Sequence, residues 1–140
     1  MNSAATQARN KAVVKASFDR WERGTGDPFE LLVPECKWTI AGSSPMSRTY
    51  NSRQEFLTEV SAPLHARMKQ PPARKVRGIY ADDDKVIVLF DMEAEGRDGS
   101  CYRNSYAWFF TMRDEAVSEV VAFFDTRAFD EFWTRVSPKL

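Results

Sequence analysis

The apolar positions of this chain change period near its middle. Before Pro71-Pro72 they recur at helical spacing, and after it they alternate. In residues 4–23, Val13, Val14, Ser17, Phe18 and Trp21 fall on one helical side, and the pattern stops at Gly24-Thr25-Gly26. Asp27 suits the cap of a second, short helix with Pro28 in its first position, an apolar side of Phe29, Leu31, Leu32 and Val33, and Pro34 at its end. Residues 36–41 read as a strand, broken by Gly42-Ser43-Ser44-Pro45. Ser52 with Glu55 has the form of a capping box ahead of Phe56, Leu57, Val60 and Leu64, which predicts a third helix despite Pro63.

Four alternating segments follow, at 75–81, 86–95, 100–112 and 117–124. Asp82-Asp83-Asp84, Arg97-Asp98-Gly99 and Arg113-Asp114-Glu115 separate them at hairpin spacing, so an antiparallel meander is predicted. Asp125 and Thr126 can cap a last helix with Phe129, Phe132, Trp133 and Val136 on one side. Helices first and a curved antiparallel sheet wrapped around them give an α+β fold, a cone or cystatin-like roll. A chain of 140 residues with 43% hydrophobic content fits one domain with one core, and no linker or repeat divides it.

Charge narrows the partners. Twenty basic and twenty acidic residues cancel, and neither sign is gathered into a block, so nucleic acid and membrane surfaces are not expected partners. The N-terminus has no apolar h-region and no run is long enough to span a bilayer, which predicts a cytoplasmic protein. Cys36 and Cys101 are far apart, and no second Cys or His stands at metal-ligand spacing, so neither a disulfide framework nor a metal site is expected. The Asp82-Asp83-Asp84 triplet lacks the downstream ligands and glycine of a calcium loop. No motif implies a cofactor. Four Trp, ten Phe and four Tyr are heavy for this length, and large rings both fill cores and line apolar pockets.

The order of elements resembles the SnoaL-like branch of the nuclear-transport-factor-2-like superfamily, with its ketosteroid isomerases, limonene-epoxide hydrolases and polyketide cyclases. The likeness covers nearly the whole chain. It is most specific in residues 16–38, with helix, Gly, Asp-Pro and aromatic strand, and in residues 102–129, with YRNSYAWFF, a turn and AFFDTRAF. The resemblance implies a cone enclosing one apolar pocket, on a scaffold that carries enzymes and non-enzymes alike. The isomerase base, oxyanion Tyr and protonated Asp fall on Ala41, on Ser17 or Phe18, and on Trp108, none of which can do that work. The epoxide-hydrolase set falls on Asp91, Leu89, Ala122, Thr39 and Ala41, so only Asp91 is retained.

Strand alternation then supplies a candidate site. With Asp91 facing the cavity, Leu89 and Glu93 share its face, and Asn104, Tyr106 and Trp108 share a face on the next strand, with Val120, Ala122 and Phe124 on the last. A slip of one residue reverses any of these assignments. Asp91 among rings is a candidate general acid or base; the alternative is a carboxylate held by Asn104 or Tyr106, or one at a solvated rim. His65, the one histidine, is the second proton-transfer candidate, against the alternative of a silent, partly exposed side chain. Tyr50 and Trp38 are further candidates for the ligand site, although the register of the first strand leaves the facing of Trp38 open. Asp125 is accounted for as a helix cap. A face of Ser105, Ala107, Phe109 and Thr111 with Val88, Phe90 and Met92 is expected to be the outer one and to pair in a homodimer. The expected function is cofactor-independent isomerisation, cyclisation or hydrolysis of a small apolar organic molecule; the alternative is a non-catalytic protein that binds a lipophilic metabolite.

Overall fold

The computed structural model describes residues 3–139. Helix α1 (Ala4–Arg23) is capped by the Ser3 hydroxyl, which accepts from the Thr6 amide. It ends at Gly24, whose φ of 74° is the left-handed conformation that glycine adopts without a Cβ penalty. Its buried side is Asn10, Val14, Ser17, Phe18 and Trp21. Asp27 caps a 3-10 turn (Pro28–Leu31) with Glu30 closing the capping box.

Strand β1 (Leu32–Ile40) starts four residues earlier than the alternation suggests and runs through Pro34. It tolerates the proline because its ladder to β6 is irregular between Leu32 and Lys37, and β2 (Thr49–Tyr50) covers only Trp38 and Thr39 on its other side. The third helical stretch, residues 53–65, is continuous but not uniform: α2 (Arg53–Phe56), a π turn (Leu57–Ser61) and α3 (Ala62–His65). The remaining elements are β3 (Ala73–Asp82), β4 (Lys85–Glu95), β5 (Cys101–Arg113), β6 (Ala116–Phe124) and α4 (Thr126–Arg135).

The six strands form one sheet in the order β2-β1-β6-β5-β4-β3. The meander β3 to β6 is antiparallel, and β1 adds to it parallel to β6, so the sheet is mixed. Its inner face and the helices enclose a core of rings. Trp108 lies edge-on to Phe90 and Trp38, with centroids 4.7 and 4.8 Å away, and Trp38 stacks on Phe56 at 4.0 Å. Such pairs add to the burial of large apolar surfaces.

Strand pairing fixes which side chains point inward, because directly opposed residues share a face. Phe90 opposes Tyr106 and Asp91 opposes Ser105. Val88, Phe90 and Met92 are therefore buried beside Tyr106 and Trp108, and they do not belong to the outer face expected of them. The outer face carries Ile87, Leu89 and Asp91 with Ser105, Ala107, Phe109 and Thr111. Leu89 is 37% exposed and Phe123 49%. The reason lies in β4 itself: its even positions are apolar from Val86 to Ala94, whereas its odd positions end in Asp91, Glu93 and Glu95. The apolar set goes into the core.

Candidate functional site

The cavity of the cone lies between residues 53–65, the end of α1 and the inner face of the sheet. Trp21 comes to it from α1, Trp38 and Ile40 from β1, and Phe56, Val60, Ser61, Leu64 and His65 from the broken helix. The sheet contributes Met92, Tyr106, Trp108, Ala122 and Phe124, and α4 contributes Phe129. Of the residues expected from sequence, His65, Trp38, Tyr106, Trp108, Ala122 and Phe124 meet here. Leu89 and Asp91 do not. They lie behind the sheet, where Arg77 Nε donates to Asp91 Oδ2 at 2.7 Å and Ser105 Oγ donates to Oδ1 at 2.9 Å. These hydrogen bonds hold the Asp91 carboxyl below its ordinary range, opposite to the rise expected of a carboxylate among rings.

Asn104 faces inward but does not line the cavity. Its Oδ1 accepts from the amides of Asp125 (3.0 Å) and Ser105 (2.8 Å), so its Nδ2 is the donor, to the Asp125 carbonyl and to Tyr102 Oη at 2.9 Å each. Tyr102 Oη lies 2.6 Å from Tyr106 Oη. Burial raises both phenols, Tyr102 to about 12, which keeps them protonated at neutral pH. Sequence reasoning missed Tyr102, although it precedes Asn104 by two residues and alternation puts it on the same face. It also missed Trp21, Met92 and Phe129, whereas the apolar stripe of the third helix, with Phe56, does face the cavity.

His65 is the titratable imidazole on the wall, next to Ser61 and Tyr106 among its polar side chains. Its Nδ1 lies 2.7 Å from the Ser61 carbonyl oxygen, which can only accept, so the proton sits on Nδ1 and the neutral ring leaves Nε2 with a free lone pair. Desolvation lowers its pKa, and the nearby positive charge of Arg74 works in the same direction, against the Ser61 bond and Asp27. Arg74 stacks on Trp21, 4.0 Å from the ring centre, and donates to the Trp21 carbonyl at 3.2 Å. Burial brings it down to about 10.

The cavity is tight, about 40 Å³. That holds a few water-sized atoms, so a larger ligand requires lining side chains to move. A larger cleft of about 910 Å³ lies beside the first half of α1, but its walls include Arg9, Asp83, Asp84, Arg113, Asp114 and Glu115. Such walls suit water rather than an apolar ligand. Among the described residues no group of three or more His, Cys, Asp or Glu is placed to hold a metal ion, and no helix is long and apolar enough to cross a membrane.

No family model and no curated protein matches the sequence. Solved structures do match the fold. A protein assigned to the SnoaL-like polyketide cyclases, from Jannaschia sp. CCS1, superposes with a TM-score of 0.74 at 16% identity, covering 96% of this chain and 98% of its own. An NTF2-like protein from Burkholderia thailandensis gives 0.72 at 19% identity, over 88% and 95% of the two chains. TerC, co-crystallised with polyporic acid, gives 0.70 at 20% identity, over 90% and 98%. The helices wrapped by a curved six-stranded sheet are thus the SnoaL-like, nuclear-transport-factor-2-like fold.

Proposed function

We propose that this protein is a small-molecule enzyme of the SnoaL-like type, which moves a proton on an apolar organic substrate in the cone cavity without a cofactor. The observation that carries the reading is His65: a neutral imidazole, fixed by Ser61 through Nδ1, on the wall of a cavity lined mostly by aromatic and aliphatic side chains. Its Nε2 can take a proton from a carbon acid or a water, and its lowered pKa keeps it ready as a base at neutral pH. The low dielectric of the surrounding rings disfavours an isolated charge there. Isomerisation and cyclisation, in which the same base takes a proton and returns it, fit that surrounding best. The ligand held by TerC supports an organic occupant for this scaffold.

The test is hydrogen–deuterium exchange of small enolisable ketones in D2O, followed by proton NMR. Wild-type protein should accelerate exchange at the carbon next to the carbonyl, and His65→Gln should lose about 10²–10⁴-fold of that rate. Equal rates for the two proteins would remove His65 as the base. A second reading, a non-catalytic binding protein, is favoured by the tightness of the cavity and the single base on its wall. Saturable binding without any exchange would select it.

A further inference from the structure

Asn104, Tyr102 and Tyr106 form a chain whose direction can be worked out from its two ends. At one end the Asp125 and Ser105 amides both point at Asn104 Oδ1 and force Nδ2 to donate. Tyr102 Oη accepts that proton, and its own O–H has a single partner among the described residues, Tyr106 Oη. Donation from Tyr106 to Tyr102 would leave the Tyr102 hydrogen without an acceptor among the described residues, so the arrangement that bonds the most hydrogens has Tyr106 Oη accepting from Tyr102 and directs the Tyr106 hydrogen away from the chain. Among the described residues the one other acceptor near it is the Met92 thioether, at 4.0 Å, a long contact to a weak acceptor. Both Tyr106 and Met92 line the cavity. A buried phenol hydrogen with only a thioether to receive it costs free energy that a better acceptor would recover.

We propose that Tyr106 is the hydrogen-bond donor to a carbonyl oxygen of the ligand, and that Tyr102 and Asn104 are positioning residues that orient its hydrogen into the cavity. This deepens the small-molecule reading and rests on it: the ligand class becomes flat, mostly apolar ketones rather than hydrocarbons. Accepting a bond from Tyr102 also polarises the Tyr106 O–H, so the chain is a stronger donor than an isolated phenol. A donor aimed where negative charge develops is what an enolate requires, and the imidazole of His65 is the base on the wall of the same cavity.

The probes are 1-indanone and indane, alike in shape and different in one oxygen. Binding is read from tryptophan fluorescence, since Trp21, Trp38 and Trp108 line the cavity, and the donor from the infrared carbonyl stretch of bound indanone. Wild-type protein should prefer indanone by about tenfold, the upper range of one net hydrogen bond. Its carbonyl stretch should fall below the value in hydrocarbon solvent. Tyr106→Phe should abolish both the preference and the shift. Tyr102→Phe, which keeps the donor and removes its orientation, should retain part of each. Thermal melting of both variants establishes that they are folded, and wild-type infrared data carry the test if Tyr106→Phe is not. Equal binding of the two probes, or an unshifted carbonyl, would overturn the donor while leaving the pocket reading intact. Absence of binding by either probe would overturn both.

Discussion

Trp108→Ala is the sharpest test of the architecture, because the whole aromatic layer converges on that ring. Trp108 is 5% exposed, and Phe18, Trp21, Phe29, Trp38, Phe90, Tyr106 and Phe110 all have ring centres within about 6 Å of it. Truncating a buried aromatic side chain to Ala costs about 3–5 kcal/mol, the spread reflecting how far the neighbours collapse into the gap. Two close edge-to-face contacts, to Phe90 and Trp38, are lost as well, at about 0.5–1.5 kcal/mol each, part of which the first figure already includes. The surrounding rings are large and stiff and pack on one another, so little collapse is expected. The estimate therefore sits near the top of the range, about 4–5 kcal/mol, or a fall in Tm of roughly 10–20 °C for a chain of this size.

Urea unfolding followed by far-ultraviolet circular dichroism measures this without depending on the tryptophan that has been removed. The control is Phe109→Ala on the neighbouring position of β5. Phe109 faces the other way, is half-buried and touches Phe123 at 5.6 Å, so about 1 kcal/mol is expected there. A cost below about 1.5 kcal/mol at Trp108, or costs that are equal at the two positions, would refute the inward facing of Trp108 and the strand register behind it. The same variant enlarges the cavity, and an enlarged apolar cavity that stays dry can take up benzene-sized molecules. Trp108→Ala should therefore bind benzene-sized apolar probes more tightly than the wild type does.

Three further outcomes follow from the same geometry. Asp91→Asn should leave ligand binding and any deuterium exchange unchanged, because the carboxylate pairs with Arg77 and Ser105 behind the sheet; loss of either would mean that Asp91 reaches the cavity. His65 has its folded pKa below the ordinary 6.5, so the unfolded chain takes up the proton first as pH falls; its contribution to stability is complete above that value and is lost below it, toward the folded pKa. Denaturation from pH 7.5 to 5 should accordingly show a shallower acid-side loss in His65→Gln than in wild type, and parallel curves would contradict the assignment. The outer sheet face, with Leu89, Phe123 and Phe109 around a shallow apolar groove, is proposed to pair two copies of the chain; sedimentation should give a dimer at micromolar concentration that Phe123→Lys dissociates, and a monomeric wild type would remove the proposal.

Most of the fold was legible because local signals and hydrophobic period agreed. The Asp27 and Ser52 caps, the hairpin turns and the Asp125 cap all lie where the residue types require them. What sequence could not supply was the parity between neighbouring strands. Alternation along β5 correctly grouped Asn104, Tyr106 and Trp108, but nothing within β5 says which β4 residues share their side. The retained carboxylate by itself points Asp91 inward. The apolar run Val86, Val88, Phe90, Met92 was the better guide, since a carboxylate inside must be paired or neutralised whereas a valine inside needs nothing further. The parallel addition of β1 to β6 is a long-range pairing with no local signature. The hydrogen-bond chain from Asn104 to Tyr106 depends on where the Asp125 backbone falls, which a linear sequence does not state.

The site also depends on a feature that helical periodicity conceals. The stripe of Phe56, Leu57, Val60 and Leu64 predicts one helix running on despite Pro63, and in a regular helix each residue advances about 100° around the axis. Pro63 has no N–H to give the Glu59 carbonyl, and its ring crowds that carbonyl in an α-helical turn. The π turn at Leu57–Ser61, with the Ala62 amide bonded to the Leu57 carbonyl, places one more residue in the turn ahead of the proline and relieves that contact. Every side chain beyond it is thereby displaced by about one residue's rotation relative to Phe56. Phe56, Val60, Leu64 and His65 all reach the cavity across this interruption. The imidazole is then held by the Ser61 carbonyl at the end of the same turn. A helix straightened through this segment would keep Phe56 stacked on Trp38 and swing His65 away from the cavity wall. The proline that looks like a fault in the helix is therefore part of what puts the one histidine in place.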